Sequence, residues 1–270
     1  MPNDDVTAVI ACFNYGRYLR EAVDSVLVQE ARVVVVNDGS TDPGTHAALD
    51  ALPDTVEVVR QENRGVCGAR NAGLARVDTP YAIVLDADDR LAPGAIDAMR
   101  VPLDANPRLG FAYGTMRFFG AWEGELRFPD YEPYRLLYRH TIGLSALMRR
   151  QVVDDTGGFD PDFETYEDWE LWVNALAHGW RGRRVDAITL EYRRHAGDVS
   201  KLADDRRRYR RHYAALRRKH TALYARAGEL ASEGRVGPLQ RAVYRWFWGA
   251  RPVPAGVEAF LYRRLFARGR

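Results

Sequence analysis

Hydrophobic positions along the first 107 residues switch back and forth between two periods. Residues 6–13, VTAVIACF, form a β-branched apolar run that closes on a polar turn, Asn14-Tyr15-Gly16. Over 17–29, Leu19, Val23, Val26 and Leu27 fall at helical spacing. Residues 32–37, RVVVVN, lack polar alternation and predict a strand buried on both faces. The stretch 40–52 opens on capping residues and continues as a helix; 56–60 is a third strand; 66–77 is a helix whose two glycines suit close packing. Residues 81–86, YAIVLD, give a fourth strand, and 92–107 a helix interrupted by Pro102. This order predicts an α/β fold, a mainly parallel sheet with right-handed crossovers and flanking helices.

Ligands of such sheets sit at the carboxyl ends of the strands. Asn14, Asp38, Arg64 and the cluster Asp86, Asp88 and Asp89 all fall there, so four polar stretches far apart in sequence converge on one crevice. The clustered aspartates repel one another. Asp86 and Asp88, alternate residues leaving a strand, can present two carboxylates to one hard cation, whose open positions then suit the oxygens of a diphosphate. The same DADDR stretch also suits the N-terminus of a helix. The strand-end location and the neighbouring polar loops favour the cation. Asp38, in NDGSTD at 37–42, can accept hydrogen bonds from a base imide or a ribose hydroxyl, or simply cap a turn.

Composition narrows the class. At 270 residues, 46% hydrophobic and 28% charged, the chain can bury a core. The longest purely apolar runs, such as 33–36 and 82–85, are far too short to span a bilayer, and no signal-peptide pattern opens the sequence. Cys12 and Cys67 make neither a disulfide framework nor a zinc spacing, so a reducing, cytoplasmic setting is expected. No Walker-type loop and no GxGxxG follow the first strand, which disfavours P-loop enzymes and dinucleotide dehydrogenases. Residues 201–270 carry 18 basic and 5 acidic side chains, net +13, against −11 for residues 1–200. An acidic body, 1–200, with a basic helical extension, 201–270, follows.

The segments VIACFNYGRYLREAVDSVL, VVVVNDGSTD, ENRGVCGARNAGL, IVLDADD and GGFDPDFETYEDWELW, in that order, resemble family-2 glycosyltransferases over roughly residues 6–200. These are inverting sugar-nucleotide enzymes of the GT-A fold with a DxD motif. Two departures bear on the base pocket: Ala11 stands where the family usually has proline, and Asn37 where a second aspartate is common. The resemblance implies that Ala11, Phe13 and Asn14 line base and ribose, that Asp38 binds one of them, and that Arg70 helps hold the nucleotide. It implies that Asp86 and Ala87 contact the donor, and that Asp88 ligates Mg²⁺ or Mn²⁺ with His195 close to the diphosphate or metal. The implied donor is a nucleoside-diphosphate sugar, UDP by default; a carbohydrate, lipid-linked or other hydroxyl group is the implied acceptor.

Inverting displacement also needs a carboxylate to take the acceptor's proton. TYEDWELWVNAL, 165–176, offers Glu167 and Asp168 at the start of a helix whose apolar face holds Trp169, Trp172, Val173 and Leu176. Acidic residues there also suit the helix dipole. By similarity Asp168 is the base and Glu167 orients substrate or loop. The glycines of 156–168 suggest a mobile connection before this helix. In 111–124 a strand is expected to shape the acceptor side, with Trp122 a stacking candidate and Phe111 and Phe118 in the core.

In the extension, 205–232 reads as one long basic helix. Leu239, Val243, Trp246 and Phe247, then Phe260, Leu261, Leu265 and Phe266, form apolar sets among arginines. Packing on the body and contact with an anionic membrane are the readings, with no specific nucleic acid expected. A nucleotidyltransferase would want a Gly-rich basic loop after the first strand, where this chain has CFNYGRY. An inactive sugar-nucleotide binder is disfavoured by the presence of Asp38, Asp86, Asp88 and Asp168.

Overall fold

A computed structural model describes residues 3–163, 165–196, 205–250 and 257. They fall into two compact units, one drawn from residues 1–131 and 140–199, the other from 132–139 and 200–270.

The first unit begins with strand β1 (Val6–Cys12), helix α1 (Gly16–Leu27), strand β2 (Arg32–Asp38), helix α2 (Pro43–Asp50), strand β3 (Glu57–Gln61), helix α3 (Gly65–Leu74) and strand β4 (Tyr81–Asp86). Strands β3, β2, β1 and β4 lie side by side and all parallel, with Val9 level with Val34 and Val84. The β-branched runs explain this block. On one face Ile10, Val33, Val35, Ile83 and Leu85 join Leu19, Val23 and Val26 of α1 in the main core; on the other, Val34 and Val36 pack with Ala69 of α3. A Cβ on Gly73 would collide with Val9, so this glycine lets α3 lie close on the sheet.

The remainder is mixed. Strand β5 (Arg90–Leu91) and helix α4 (Ala95–Ala105) precede the long strand β6 (Leu109–Gly120) and the short β7 (Gly124–Leu126). Helix α5 (Pro133–Leu136) belongs to the second unit. Strand β8 (Leu147–Arg149), helix α6 (Arg150–Thr156), helix α7 (Glu167–Ala177) and strand β9 (Arg181–Arg194) complete the first unit. The sheet continues from β4 through β8, β6 and β9 to β5, and β7 pairs with β6. Among these later pairs only β6 with β9 is parallel. Helix α4 is not interrupted at Pro102: it runs on to Ala105, held down by the buried stripe Ala95, Ile96, Met99 and Leu103. Burial of that stripe, at about 1.5–3 kcal/mol for each large side chain, offsets the missing backbone hydrogen bond.

In the second unit Glu132 caps α5, its carboxylate accepting from the Tyr134 and Arg135 N–H groups at 2.7 Å each. The expected single helix over 205–232 is three: α8 (Asp205–Lys219), α9 (Thr221–Ala225) and α10 (Ala227–Glu233). The breaks come at His220 and Arg226, whose ψ angles of 37° and 12° leave the helical region; His220 is buried at its break. Helix α11 (Pro238–Val243) runs into a π-helical turn, Tyr244–Ala250. Here Tyr244 and Trp248 are buried, whereas Leu239 and Trp246 are exposed, so the helically spaced apolar set does not form the packed face. The Phe247 side chain and Phe260, Leu261, Leu265 and Phe266 lie outside the described residues.

Candidate active site

The end of β1 is tied to the end of β2 through Asn14. Its φ of +59° is left-handed, a conformation asparagine tolerates. Asn14 Oδ1 accepts from the Thr41 and Asp42 N–H groups at 2.8 and 2.9 Å, and its own N–H donates to Ser40 Oγ at 3.0 Å. The Asn14 side chain is therefore spent on shaping the crevice wall. Phe13 beside it is 45% exposed. Half-buried Ala11 sits level with Asp86 of β4. Asp38, at the end of β2, is buried. Its Oδ1 accepts from Gln61 Nε2 at 2.6 Å and from the Arg64 N–H at 2.9 Å, while Oδ2 accepts nothing from the described residues.

The acidic cluster divides its labour. Asp89 is buried and latches β9, accepting from the Arg193 N–H at 2.8 Å; burial and then repulsion from Asp86 hold its carboxyl well above the usual carboxylate range. Ala87 is buried between its neighbours. Asp88 stays partly exposed. Its Oδ2 lies 2.8 Å from His195 Nε2, and His195 Nδ1 lies 3.3 Å from the Tyr18 hydroxyl on α1. Arg193 Nε donates to the Asp88 carbonyl at 2.8 Å, fastening the ends of β4 and β9 together.

Arg70 of α3 is buried, not a surface charge. Nη2 donates to Asp86 Oδ1 at 2.8 Å and Nη1 to Glu167 Oε1 at 2.6 Å. One guanidinium thus joins the end of β4 to the start of α7. Gly73 and buried Ala69 on the same helix lie close against Val9, Val34 and Val36 of the sheet. The connection before α7 is anchored at Phe159, whose N–H and carbonyl both pair with the Asn71 amide at 2.8 and 2.7 Å, and at buried Phe163.

At the start of α7, Asp168 Oδ1 accepts from the Trp169 N–H at 2.8 Å. Its Oδ2 lies 2.8 Å from His140 Nε2, an ion-pair contact rather than an aligned hydrogen bond. His140 lies against Tyr166 and Trp169, with ring centroids at 5.8 and 6.4 Å. Burial pushes the Asp168 carboxyl up, but His140 and Arg70 outweigh it and leave the group below the usual carboxylate range. Glu167 moves the other way: burial and the Asp168 charge raise it against the pull of Arg70. Burial opposes charge on His140, yet Asp168 holds its pKa above the usual imidazole value. Environments that push adjacent carboxylates apart separate their roles, here an ionised Asp168 beside a more readily protonated Glu167.

A family model described as "Glycosyl transferase family 2" matches residues 7–158. The chain belongs to glycosyl transferase family 2. The match ends before α7, so Glu167, Asp168 and His195 lie beyond the matched span. Among relatives of this family-2 chain, the glycosyltransferase GlyA of Streptococcus pneumoniae serotype 4 is 27% identical over 208 residues, covering 75% of this chain and 27% of GlyA. The chain spans 27% to 63% of the length of the first curated relatives it matches. S. aureus TarS 1–349 in complex with UDP-GlcNAc superposes with a TM-score of 0.66 at 16% identity, over 90% of this chain and 73% of that one. The mannosyltransferase PcManGT of Pyrobaculum calidifontis in complex with GDP-Man and Mn²⁺ gives 0.57 at 18%, over 95% and 82%. At these identities the likeness concerns the fold, which is that of the GT-A glycosyltransferases.

Asp88 and His195 bring a carboxylate oxygen and an imidazole nitrogen to one point. Among the described residues no cluster of three or more His, Cys, Asp and Glu side chains could hold a metal ion. Two protein donors fit Mg²⁺ or Mn²⁺ in a site completed by diphosphate oxygens and water. Tyr18 and His140 escaped the sequence reading. Tyr18 lies on α1 outside its apolar stripe; His140 is a lone histidine in an irregular stretch, and only the fold carries it to Asp168. Trp122 is 45% exposed, 4.6 Å from the Phe118 ring and beneath Arg194 at 4.8 Å.

Proposed function

We propose that this chain is a metal-dependent, inverting glycosyltransferase that moves a hexosyl group from a nucleoside-diphosphate sugar to an acceptor hydroxyl. The observation that carries the reading is the Arg70 bridge, which joins a donor-side carboxylate, Asp86, to Glu167, the neighbour of Asp168 at the start of α7. The free Oδ2 of Asp38 accepts from the base or ribose. Ala11, Phe13 and Asn14 form the wall against which the nucleotide lies, and Arg70 positions Asp86 and Glu167 rather than gripping phosphate itself. Asp88 and His195 would hold Mg²⁺ or Mn²⁺, which supplies positive charge to the diphosphate. Asp168, kept ionised by His140 and Arg70, takes the acceptor hydroxyl proton as its oxygen bonds to the anomeric carbon and the bond to the diphosphate breaks. No enzyme nucleophile is required, so configuration inverts. UDP is the favoured nucleotide, supported by the TarS complex with UDP-GlcNAc; the GDP-Man complex of PcManGT makes GDP the alternative to test.

Screening UDP-, GDP- and dTDP-sugars with Mn²⁺ and following the product by NMR tests this reading. Transfer with the anomeric configuration opposite to the donor is expected; retention, or no turnover of any donor, refutes it. The second unit's contact with an anionic membrane is proposed on its sequence balance of +13 over 201–270 and on exposed Leu239 and Trp246. Among the described residues no helix is long and apolar enough to cross a membrane. Flotation with anionic liposomes at low salt should carry the chain; absence of flotation removes the contact.

A further inference from the structure

The second unit holds a cavity of about 480 Å³, within the ~300–1,000 Å³ range of small-molecule sites. Tyr134, Tyr138, Tyr213 and Tyr224 are among its lining residues. Tyr213 stacks parallel to Tyr209 at 6.0 Å and meets Tyr224 edge-on at 6.1 Å; Tyr138 packs on Tyr134 and Tyr213 at 5.0 and 6.2 Å. The ring faces are largely spent on one another, and the Tyr134 and Tyr224 hydroxyls donate to the Arg241 and Leu137 carbonyls at 3.3 and 2.7 Å, which leaves ring edges to meet a ligand.

Three arginines, Arg217, Arg241 and Arg245, line the same space, and among the described residues no acidic side chain does. Among the described residues none of the three has a carboxylate partner. Arg241 is fixed by donating Nε to the Val236 carbonyl at 2.7 Å, and Arg217 sits 5.9 and 5.8 Å over the Tyr213 and Tyr224 rings. Three uncompensated guanidinium groups around one cavity repel one another, and an anion relieves that repulsion. Their planar forks match phosphate and carboxylate oxygens. A nucleobase would need an open aromatic face to stack on, whereas the hydroxyls of a sugar ring are satisfied by guanidinium N–H donors and its carbons by ring edges. We infer that this cavity binds an anionic saccharide, a sugar bearing a phosphate or a carboxylate. None of its lining residues belongs to the crevice at the strand ends, so the inference stands whether or not the transfer reaction does.

The test is calorimetry on the full chain with glucose 1-phosphate, glucuronate, glucose and inorganic phosphate, with excess UDP and Mn²⁺ present to occupy a donor crevice. Glucose 1-phosphate or glucuronate should bind at least about tenfold more tightly than glucose and inorganic phosphate, and the stronger of the two identifies the anionic group. Arg217→Gln/Arg245→Gln should weaken that binding by about tenfold or more with an unchanged circular dichroism spectrum. If that variant fails to fold, Arg217→Lys/Arg245→Lys, which keeps charge but loses the forks, decides the matter by a smaller loss. No binding by either acidic sugar, inorganic phosphate binding as tightly as glucose 1-phosphate, or full affinity in the folded variant would overturn the inference.

Discussion

The end of β4 and the start of α7 each hold an aspartate 2.8 Å from a histidine, in different surroundings. At the end of β4, Asp88 and His195 are partly open, and the far nitrogen of His195 reaches the Tyr18 hydroxyl. At the start of α7, Asp168 and His140 sit against Tyr166 and Trp169, and Arg70 adds a second cation to the field at Asp168. The open pair suits sharing a hard cation with diphosphate. The enclosed pair keeps one carboxylate ionised where burial alone would favour its protonation. In the proposed function the same two side chains support binding in one place and proton transfer in the other, and surroundings make the difference.

The largest effect should come from the open pair. Asp88→Ala is expected to abolish the Mn²⁺ dependence of nucleoside-diphosphate binding in calorimetry; unchanged affinity and metal dependence in a folded variant would merge the two pairs into one role. Cutting the link between them comes next. Arg70→Ala leaves Asp86 and Glu167 without their shared cation and should lower unfolding stability by about 3–5 kcal/mol, read from denaturant titration. A loss under 1 kcal/mol would mean that the bridge is not the joint between the regions.

The enclosed pair is sharpened by pH. His140→Asn removes the first of the attractions holding Asp168 down and leaves burial, the largest influence, to raise it. The acid limb of kcat should therefore move to higher pH, with kcat at neutral pH falling about tenfold or less. A merely structural histidine would lower activity without moving the limb. The smallest effect is expected from Glu167→Gln, which should reduce kcat less than the loss of Asp168; the reverse order would transfer the base to Glu167.

Much of this frame was legible in the sequence. The Val- and Ile-rich runs specify β1 to β4 because a strand covered on both faces needs no polar alternation. They bring Asp38 and Asp86 to the strand ends on either side of β1. The apolar face predicted for α7, Trp169, Trp172, Val173 and Leu176, is buried. What escaped depends on long-range placement. Arg70 reads as one charge on a small-residue helix, and its burial between two carboxylates needs α3, β4 and α7 together. His140 has no local pattern, and Asp89 resembles its neighbours until β9 returns to pair with it. In the basic extension, periodicity located apolar residues but not the breaks at His220 and Arg226, because arginine favours helix throughout.

The division between donor binding and proton transfer is tested most directly by Asp168→Asn, with turnover and donor affinity measured on the same preparation. Asparagine keeps the shape and removes the proton acceptor. The expected result is a fall in kcat of about 10²–10⁴-fold with nucleotide–Mn²⁺ affinity nearly unchanged. Wild-type turnover, or a loss of donor affinity matching that of Asp88→Ala, would contradict the assignment.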